Sequence, residues 1–463
     1  MSENITVVIL AAGLGTRMRS TKAKVLHEAG GDTLLNHILR AAVQVAAPEN
    51  IVVVVGYQAE QVRQRVNIPG IRFTEQREQR GTGHAALCAR SAINHEKGDL
   101  LILNGDGPLL KAGTLRALIE RQNQAGTGGT IITTEVNDPT GYGRIVRDEN
   151  DLVCAIVEQK TATPEQLQIR EINPGLYCFD AELFWRHIPE VKANNAAKEY
   201  YLTDMVEILR RHGHRVAPLL IADETELLGI NTRVELAFAD RVLRARKAEE
   251  LMLAGVTIEN PESVSIDARV DVGPDTVIEA NVQLRGATRI GSNCRIGTGS
   301  VLRDCEIGDS VTILPYVVAE TSFVRNGASV GPFARMRLNA EAGEATHIGN
   351  FVELKKTSLG MGSKANHLAY LGDSAIGAGV NIGAGTITCN YDGVTKHATH
   401  IADNVFVGSN STLVAPLDIE EGAYVAAGSV ITKRVEADAL AIGRAYQVDK
   451  PGWAKRRREM KGK

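Results

Sequence analysis

The sequence predicts two domains of different fold class, an N-terminal α/β domain with a mainly parallel sheet and a C-terminal parallel β-helix. Three observations support this prediction. In the N-terminal half, apolar strand-like segments alternate with helix-like segments, which is the pattern of βαβ units. After Gly255, aliphatic residues recur every six positions, which is typical of a hexapeptide-repeat solenoid. Aromatic residues make up only 4% of the chain, which suits a narrow core of Ile, Val and Leu.

The N-terminal half is expected to form a sheet whose strands are joined by helices. The strand candidates are Thr6–Leu10, Ile51–Val55, Ile71–Phe73, Leu100–Leu103 and Thr130–Thr134, and the helix candidates include Leu34–Val45, His84–Ala92 and Thr114–Gln124. Such alternation favours right-handed crossovers and a mainly parallel sheet. Because ligands of these sheets bind at the carboxyl ends of the strands, polar motifs at those ends are the first candidates for a site.

A glycine-rich turn follows the first predicted strand. The chain reads LAAGLGTRM from Leu10 to Met18, and Lys24 follows shortly afterwards. Glycines let backbone N–H groups approach a polyphosphate closely, and the cations Arg17 and Lys24 can neutralise it. The run is not a Walker loop, because no Gly-Lys-Ser/Thr follows. It is not the dinucleotide fingerprint either, because Met18 stands where the third glycine is needed.

Polar motifs also follow the third and fourth predicted strands. Gln76 and Gly81-Thr82-Gly83 come after the third strand, and Asn104-Gly105-Asp106 ends the fourth. A carboxylate at this position is a good hard ligand for Mg²⁺, and the alternative for Asp106 is a turn or a helix cap. Each of the later motifs could by itself be a turn, and these motifs contain Gly143, Glu158, Asn173 and Asn231.

A helix from Thr232 to Leu253 is predicted between the two halves. Thr232 and Glu235 fit a capping box, and Gly255 is a plausible stop. The sequence therefore predicts a first domain at 1–231, a rigid linker helix at 232–253, and a β-helix domain at 254–463 that ends in a basic tail.

The C-terminal half keeps the six-residue step over long stretches. The inward-facing aliphatic residues are expected to include Ile266, Val272, Ile278, Leu284, Ile290, Ile296 and Leu302, and later Ile401, Val407, Leu413, Ile419, Val425 and Ile431. Chance alternation in an ordinary β domain is improbable over so many steps.

The repeat is interrupted where chemistry could be located. The segment Ala384–Gly393 does not fit the step, and solenoids extrude such insertions as loops, often on the binding face. His367 is accompanied by Lys355, Tyr370 and Asn390 around this interruption. A lone histidine is usually structural, but a repeat of this kind needs no such group of polar residues. A functional role for His367 is therefore favoured.

Composition argues against several classes of function. The net charge of −3 gives no general attraction to nucleic acid. Neither a signal-peptide pattern nor a membrane-length apolar run is seen, and the six cysteines lack CxxC spacing, so we expect a cytoplasmic protein with reduced thiols. No His/Cys cluster predicts zinc, and three polar runs are interpreted as solvated: His212-Gly213-His214, His397 to His400, and Lys455 to Arg458.

Together these motifs resemble the bacterial bifunctional N-acetylglucosamine-1-phosphate uridyltransferase / glucosamine-1-phosphate N-acetyltransferase family. The resemblance covers both halves and the linker. Its most specific markers are Gly13–Met18, Gln76 with Gly81-Thr82, Gly143, Glu158, Asn173, Asn231, Asn366-His367 and Asn390–Gly393. It implies a Rossmann-like nucleotidyltransferase followed by a left-handed β-helix. It also implies a homotrimer in which neighbouring β-helices share each acetyltransferase site.

The resemblance implies two consecutive reactions. Acetyl-CoA acetylates glucosamine-1-phosphate, and UTP then uridylylates the product with release of pyrophosphate, giving UDP-N-acetylglucosamine for cell-envelope synthesis. The sugar phosphate of the second reaction is already an anionic nucleophile, so positioning, Mg²⁺ and cations on the leaving group suffice. The amine of the first reaction must be neutral to attack a thioester, so a general base is needed.

Residue roles follow from the resemblance position by position. In the first half, the residues implied for the uridine nucleotide are Leu10, Ala11, Ala12, Gly13, Lys24, Gln76, Gly81, Thr82, Asn104 and Gly105; those for the amino sugar are Gly143, Glu158 and Asn173; those for Mg²⁺ are Asp106 and Asn231; and the cations on pyrophosphate are Arg17 and Lys24. Two departures from the family pattern are Ala23, which replaces a proline, and Asn104, which stands where an aromatic residue is common.

The second half is assigned in the same way. The residues implied for the sugar phosphate are Arg337, Lys355, Tyr370, Asn381 and Asn390; those for acetyl-CoA are Ala384, Tyr391, Ser409, Ala427 and Arg444; and His367 is the implied base, with Glu353 orienting it.

Two other functions remain open from the sequence. The first is a nucleotidyltransferase of single activity whose β-helix is only structural or regulatory, and His367 with the Asn390 loop argues against it. The second is a non-catalytic binding or regulatory subunit, and the presence of Arg17, Lys24 and Asp106 argues against that.

Overall fold

The computed structural model describes residues 5–193, 195 and 198–461 of the chain. The chain divides into two compact units, Met1–Arg244 and Ala245–Lys463. The boundary between them falls within one long helix, Arg233–Leu253.

The first unit is an α/β structure. Its strands are β1 (Ile5–Ala11), β2 (Glu28–Ala29), β3 (Asp32–Thr33), β4 (Ile51–Val55), β5 (Arg72–Glu75), β6 (Asp99–Asn104), β7 (Gly129–Glu135), β8 (Gly143–Arg147), β9 (Val153–Val157), β10 (Glu171–Asn173), β11 (Tyr177–Asp180) and β12 (Val216–Leu220). Its α-helices are α1 (Leu34–Ala42), α2 (Ala59–Arg65), α3 (Thr82–Ala89), α4 (Ala112–Ala125), α5 (Pro164–Leu167), α6 (Ala181–His187), α7 (Asp204–Arg211) and the first part of α8 (Arg233–Leu253). Short 3-10 helices lie at Thr16–Met18, Lys24–Leu26, Pro48–Asn50, Arg90–Ala92, Ile188–Glu190 and Glu224–Leu227.

Most of these strands form one sheet in the order β5-β4-β1-β6-β11-β7-β10-β8-β9, with β12 also paired to β7. The strands β5, β4, β1 and β6 are parallel, as the sequence predicts. Beyond β6 the sheet is mixed, because β11 runs antiparallel to both β6 and β7. The glycine-rich loop and Asp106 follow β1 and β6, so they share one edge of the parallel part.

Both faces of the parallel strands are covered. Val7 and Ile9 of β1 belong to one buried cluster, whereas Val8 belongs to the cluster on the opposite face. This burial on both sides explains why β1 and β4 are nearly continuous aliphatic runs rather than alternating ones.

Helix α8 begins with the predicted capping arrangement. The Glu235 backbone N–H donates to the Thr232 hydroxyl at 3.2 Å, and the Thr232 backbone N–H donates to the Glu235 carboxylate at 2.7 Å. The first half of α8 also holds to the first unit, because Ala239 is buried with Leu34 and Ile230, and the Gly30 N–H donates to Asp240 at 2.8 Å.

The second unit is a left-handed parallel β-helix with three sheets. The first sheet contains Thr257–Ile258, Val277–Ile278, Arg295–Ile296, Thr312–Ile313, Ser329–Val330, His347–Asn350, Lys364–His367, Asn381–Ile382, Phe406–Val407, Tyr424–Val425 and Leu440–Ala441. The second contains Ser265–Ile266, Gln283–Arg285, Val301–Arg303, Val318–Glu320, Arg335–Arg337, Glu353–Lys355, Tyr370–Gly372, Ile387–Cys389, Thr412–Val414 and Val430–Ile431. The third contains Asp271–Val272, Arg289–Ile290, Glu306–Ile307, Phe323–Val324, Glu341–Ala342, Ser358–Leu359, Ser374–Ile376, Thr399–Ile401 and Leu417–Ile419.

The predicted inward-facing aliphatic residues form the core of this unit. Ile278, Ile296, Leu302 and Val425 are fully buried, and Val272 is partly buried against the same cluster. The last described element is an exposed helix, α9 (Trp453–Lys461). Among the described residues, no helix is both long and apolar enough to cross a membrane.

Candidate functional site

A cavity of about 420 Å³ lies at the carboxyl ends of β1 and β6 in the first unit. It is bordered by the glycine-rich loop, the start of α3 and the residue that follows β9. Many of the predicted nucleotide and sugar residues line it, namely Leu10, Ala11, Ala12, Gly13, Lys24, Gln76, Gly81, Thr82, Asn104, Asp106 and Glu158. The fold therefore brings together residues that are widely separated in the sequence.

Glycines around the cavity are required by close backbone approaches. Gly15 has φ +64°, and a Cβ there would lie 2.6 Å from the Cβ of Lys24. Gly81 has φ +99°, and a Cβ there would lie 2.5 Å from the Tyr200 carbonyl oxygen. The Gly105 N–H donates to the Leu10 carbonyl at 2.9 Å, which ties the ends of β1 and β6 together.

Two cations converge on the predicted metal ligands. Lys24 Nζ forms a short hydrogen bond with Asp106 Oδ2 and lies 3.1 Å from Asn231 Oδ1. Arg17 Nη2 donates to the same Asn231 oxygen at 2.8 Å. The Asn231 backbone is held in turn, because its N–H donates to Glu235 at 2.6 Å.

This donor set fits a magnesium ion. Asp106 and Asn231 present two oxygen atoms to one positive charge, the Lys24 ammonium, which stands where a cation would be bound. Carboxylate and amide oxygens are the hard ligands that Mg²⁺ accepts. The role of Glu235 in positioning Asn231 was not found from the sequence, where Glu235 was assigned only as a helix cap.

Gln76 is nearly fully buried and has a fixed orientation. Its side-chain NH₂ donates to the Gly81 carbonyl at 3.0 Å and lies 3.0 Å from Nδ1 of His84. A carbonyl only accepts, so the amide nitrogen must face Gly81, and His84 Nδ1 must then be the unprotonated acceptor. Sequence analysis missed His84, whose other nitrogen lies 3.9 Å from Cys88 Sγ.

The predicted sugar residues lie side by side. Gly143 pairs with Asn173 across β8 and β10, and a Cβ on Gly143 would lie 3.7 Å from Glu158 Oε1. Burial raises the pKa of the Glu158 carboxyl. Asn173 donates to the Tyr177 hydroxyl at 2.8 Å, and Asn104 donates to the Pro174 carbonyl at 3.2 Å. Asn104 thus lines the cavity, and its hydrogen bond stabilises the loop that contains Pro174.

The second unit contains a polar cluster centred on Asp373, a residue that the sequence analysis missed. Lys355 Nζ and Asn390 Nδ2 both donate short hydrogen bonds to Asp373 Oδ2, and Lys356 Nζ lies 3.8 Å from Oδ1. Burial raises the pKa of Asp373, but these hydrogen bonds and the two lysine charges hold it below its ordinary value. Asp373 could have been found from the length of one coil, because it lies one coil after Lys355. Its backbone N–H donates to the Lys355 carbonyl of the preceding coil at 2.9 Å.

His367 and Glu353 lie in different sheets of the β-helix. His367 pairs in register with Asn350 in the first sheet, whereas Glu353 pairs with Tyr370 in the second. His367 Nδ1 is accordingly 2.8 Å from Asn350 Oδ1. Glu353 instead accepts a hydrogen bond from Arg337 at 2.7 Å. The expected His367–Glu353 contact is therefore replaced by His367–Asn350, because the strand register fixes which residues are neighbours.

The residues predicted for acetyl-CoA follow the first sheet. The Asn410 N–H donates to the Ala384 carbonyl at 2.7 Å, and the Gly428 N–H donates to the Ser409 carbonyl at 2.8 Å, so Ala384, Ser409 and Ala427 occupy one corner of successive coils.

Other predicted residues flank this corner. Asn381 starts the strand that precedes Ala384, and the side chain of exposed Arg444 lies beside Gly428. Tyr391 lies in the extruded loop, where its hydroxyl donates to the Gly393 carbonyl at 2.6 Å. Tyr370 is folded over Gly372, where a Cβ would lie 2.6 Å from the tyrosine hydroxyl.

Comparison with known proteins agrees with this division. Residues 7–198 match the family described as MobA-like NTP transferase domain. Residues 269–304 match the bacterial transferase hexapeptide family, and residues 399–433 match the hexapeptide repeat of succinyl-transferase. The fold and its two sites define a nucleotidyltransferase joined to a hexapeptide-repeat acyltransferase.

Full-length relatives give the particular family. A protein of Solibacter usitatus named Bifunctional protein GlmU is 55% identical over 460 residues, covering 99% of each chain. Proteins of the same name from Koribacter versatilis and Anaeromyxobacter sp. strain Fw109-5 are 49% and 50% identical, and cover 100% and 98% of this chain and 99% and 93% of their own. The chain belongs to the bifunctional GlmU family. The predictions of family, fold class and a bifunctional transferase of UDP-N-acetylglucosamine synthesis are confirmed.

Proposed function

We propose that the cavity of the first unit transfers uridylyl from UTP to N-acetylglucosamine-1-phosphate, and that the His367 region of the second unit acetylates glucosamine-1-phosphate. The observation that carries the first assignment is the convergence of Lys24 and Arg17 on Asp106 and Asn231 at the end of the parallel strands. Cations and oxygen ligands in that arrangement suit a polyphosphate with its metal ion.

In uridylyl transfer, the residues of this chain bind and orient. The loop from Leu10 to Gly13 holds the nucleotide, Gln76 contacts the base, and Glu158 with Asn173 holds the amino sugar. When bound by Asp106 and Asn231, Mg²⁺ supplies charge neutralisation and orients the phosphates. Lys24 and Arg17 then face the pyrophosphate that leaves. No general base is required, because the attacking phosphate oxygen is already ionised.

In acetyl transfer, His367 accepts the proton of the attacking amine. Asn350 Oδ1 receives the Nδ1–H of His367, which leaves Nε2 as the free base. Lys355 and Asn390, fixed by Asp373, contact the sugar phosphate together with Arg337, Tyr370 and Asn381. The corner formed by Ala384, Ser409 and Ala427, with Tyr391 and Arg444, receives acetyl-CoA.

The working assembly that we propose is a homotrimer. Tyr316, Phe333, Phe351 and Leu368 form a row on successive coils, each about half exposed and each with φ between 49° and 61°. The three rings stack with centroids 5.1 and 5.5 Å apart. An exposed apolar row that ends next to His367 suits coverage by a second copy of the chain, which would complete the acetyltransferase site.

Mass spectrometry of reaction products tests the assignment. The purified chain is incubated with glucosamine-1-phosphate, acetyl-CoA, UTP and Mg²⁺, and UDP-N-acetylglucosamine is expected. If N-acetylglucosamine-1-phosphate is the only product, the acetyl transfer is supported and the uridylyl transfer is contradicted. Formation of UDP-glucosamine would contradict the proposed order, in which acetylation precedes uridylylation. Sedimentation of the isolated β-helix under assay conditions tests the trimer, and an active monomer would contradict it.

A further inference from the structure

Two helices of the first unit end beside each other and bring three potential metal ligands together. Helix α6 ends at His187, a 3-10 turn then reaches Glu190, and α7 ends just before His212. The imidazole rings of His187 and His212 are stacked, with centroids 4.1 Å apart and planes inclined by 29°. None of these residues lines the nucleotide cavity.

Both imidazoles face one carboxylate oxygen. His187 Nδ1 lies 2.7 Å and His212 Nε2 lies 2.9 Å from Glu190 Oε1. Glu190 Oε2 accepts from Arg211 Nη2 at 2.9 Å and lies 3.1 Å from His212 Nε2. One ligand atom of each of the three residues lies within 4.8 Å of the other two.

We propose that His187, Glu190 and His212 form a binding site for a divalent transition-metal ion of the Zn²⁺ class. Two imidazole nitrogens and one carboxylate oxygen are a common zinc ligand set, which leaves a fourth position for water. The two nitrogen–oxygen separations, 2.7 and 2.9 Å, are shorter than the separation of about 3.3 Å between ligands that lie about 2.0 Å from a tetrahedral ion. The carboxylate oxygen would therefore have to move away from both nitrogens by only a few tenths of an ångström.

The surroundings of the three ligands also suit a cation. Helices α6 and α7 both direct their carboxyl ends here, and the partial negative charge of a helix carboxyl end attracts positive ions. Arg211 can continue to donate its hydrogen bond to Glu190 Oε2 while Oε1 binds the metal. Carboxylates that bind metal ions commonly accept a hydrogen bond of this kind from a neighbouring residue.

The two histidines differ in exposure. His187 is buried and therefore held in place, whereas His212 is exposed and offers a path for the ion. The Glu190 carboxyl group is of a type that is ordinarily ionised at neutral pH.

The site differs in chemistry from the one formed by Asp106 and Asn231. Nitrogen ligands favour Zn²⁺, Co²⁺, Ni²⁺ and Cu²⁺, whereas the Asp106 site offers oxygen atoms suited to Mg²⁺. A transition metal bound here would join the end of α6 to the end of α7 and stabilise that packing, because it binds the folded chain preferentially.

Zinc binding by the full-length protein tests this proposal. Metal-free protein is titrated with Zn²⁺ in excess Mg²⁺, and one site per chain is expected with a rise in the thermal unfolding temperature. His212→Ala, which alters an exposed side chain, and Glu190→Gln should each weaken Zn²⁺ binding by at least about tenfold and abolish the rise. Binding that these variants leave unchanged would overturn the proposal.

A matched histidine provides the control. The ring of His214 is centred 6.0 Å from that of His187 and lies outside the set of three ligands. His214→Ala should keep the wild-type affinity, and an equal loss in this variant would overturn the assignment of the ligands. The visible absorption spectrum of the Co²⁺-substituted protein should be that of a site with nitrogen and oxygen ligands. A thiolate-to-cobalt charge-transfer band would show instead that the metal is bound by cysteine.

Discussion

Lys24 and Asp106 form an ion pair at the carboxyl ends of β1 and β6, where the glycine-rich loop meets the last residues of the neighbouring strand. Both side chains are largely buried, and the ammonium also reaches Asn231. A cation is thus already enclosed by the two proposed metal ligands. The charge of the Lys24 ammonium is balanced by the Asp106 carboxylate before substrate binds, and the proposed roles of the three residues depend on one another.

Asp106→Ala should abolish uridylyl transfer and leave acetyl transfer unchanged. The variant removes one metal ligand and the partner of Lys24, so a loss of at least about 10²-fold is expected. Rates of both reactions are measured over a range of Mg²⁺ concentrations. Asp151→Asn, at an exposed aspartate, is the control. Near-normal UDP-sugar formation by Asp106→Ala at limiting Mg²⁺ would contradict the assignment.

His84→Ala should reduce the preference of the enzyme for UTP over CTP. In the structure both hydrogens of the Gln76 amide are engaged by Gly81 and His84, and no described residue donates to Oε1. That oxygen is therefore available to accept from N3–H of uracil, whereas cytosine has an acceptor at N3. Loss of one hydrogen bond that fixes the amide should lower the ratio of kcat/KM values by about tenfold.

The control for this prediction is Cys88→Ala, which removes the neighbour of the other His84 nitrogen and should leave the UTP to CTP ratio within experimental error. A ratio that stays unchanged in His84→Ala would show that His84 only fills space beside Gln76.

The fold was predictable where the sequence has a regular period. Apolar runs such as Ile51–Val55 and the six-residue step around Ile278 depend on local pattern alone, and the structure places them as strands and core. The mixed half of the first sheet was not predicted, because the direction of β11 depends on long-range pairing with β6.

The sites were predictable only in part for the same reason. Residues within recognisable motifs, such as Lys24 and Asp106, were found and do lie together. Asp373 and Asn350 were missed, because their roles come from the register between coils rather than from a motif. The contact between His187 and His212 could not be predicted from the sequence, because two separate helices bring the rings together.

A fragment that ends at residue 244 should be more stable than one that ends at residue 231, while both transfer uridylyl groups. The shorter fragment lacks Ala239, which is fully buried, and Asp240, which accepts from the Gly30 N–H. Losing this contact should lower the free energy of unfolding by about 1–3 kcal/mol. Urea unfolding of both fragments measures the difference, and equal stabilities would show that α8 contributes nothing to the first unit.

Asp373→Asn should destabilise the β-helix at neutral pH and flatten its response to acid. The native pKa of Asp373 lies below its ordinary value, so its stabilising effect is present above about pH 4 and is lost as the pH falls through the native pKa. At neutral pH the variant leaves the buried Lys355 ammonium without its partner, which should cost about 3–5 kcal/mol.

Hydrogen exchange in the strand Glu353–Lys355 measures this local stability between pH 3 and pH 7. The protection of the wild-type strand against hydrogen exchange should fall as the pH approaches 3. In the variant, protection should already be lower at pH 7 and should change less with pH. Asp271→Asn, at an exposed aspartate of the third sheet, is the control. Parallel pH curves for wild type and Asp373→Asn would rule out a linkage through this carboxylate.

His367→Ala should slow acetyl transfer by about 10²–10⁴-fold with little effect on uridylyl transfer, because it removes the proposed general base. His367→Asn separates this role from a structural one, since it keeps polarity and approximate volume but cannot take the proton. Imidazole is the side chain that ordinarily changes charge between about pH 5 and 8, so the acid limb of the kcat/KM profile should disappear in both variants. A near wild-type rate for correctly assembled His367→Asn at pH 7.5 would mean that the base is another residue.

Asn350→Asp tests whether the residue at position 350 influences the protonation of His367 during catalysis. A carboxylate in place of the amide would stabilise the imidazolium form of the ring that it contacts, so the acid limb should move to higher pH. Asn350→Ala should lower the rate without such a shift, because it frees the ring without adding charge. Glu353→Gln, which alters the partner of Arg337 in the neighbouring sheet, should leave the acid limb in place. If Glu353→Gln moves the acid limb and Asn350→Asp does not, the ring of His367 is oriented by Glu353 during catalysis and the contact with Asn350 is incidental.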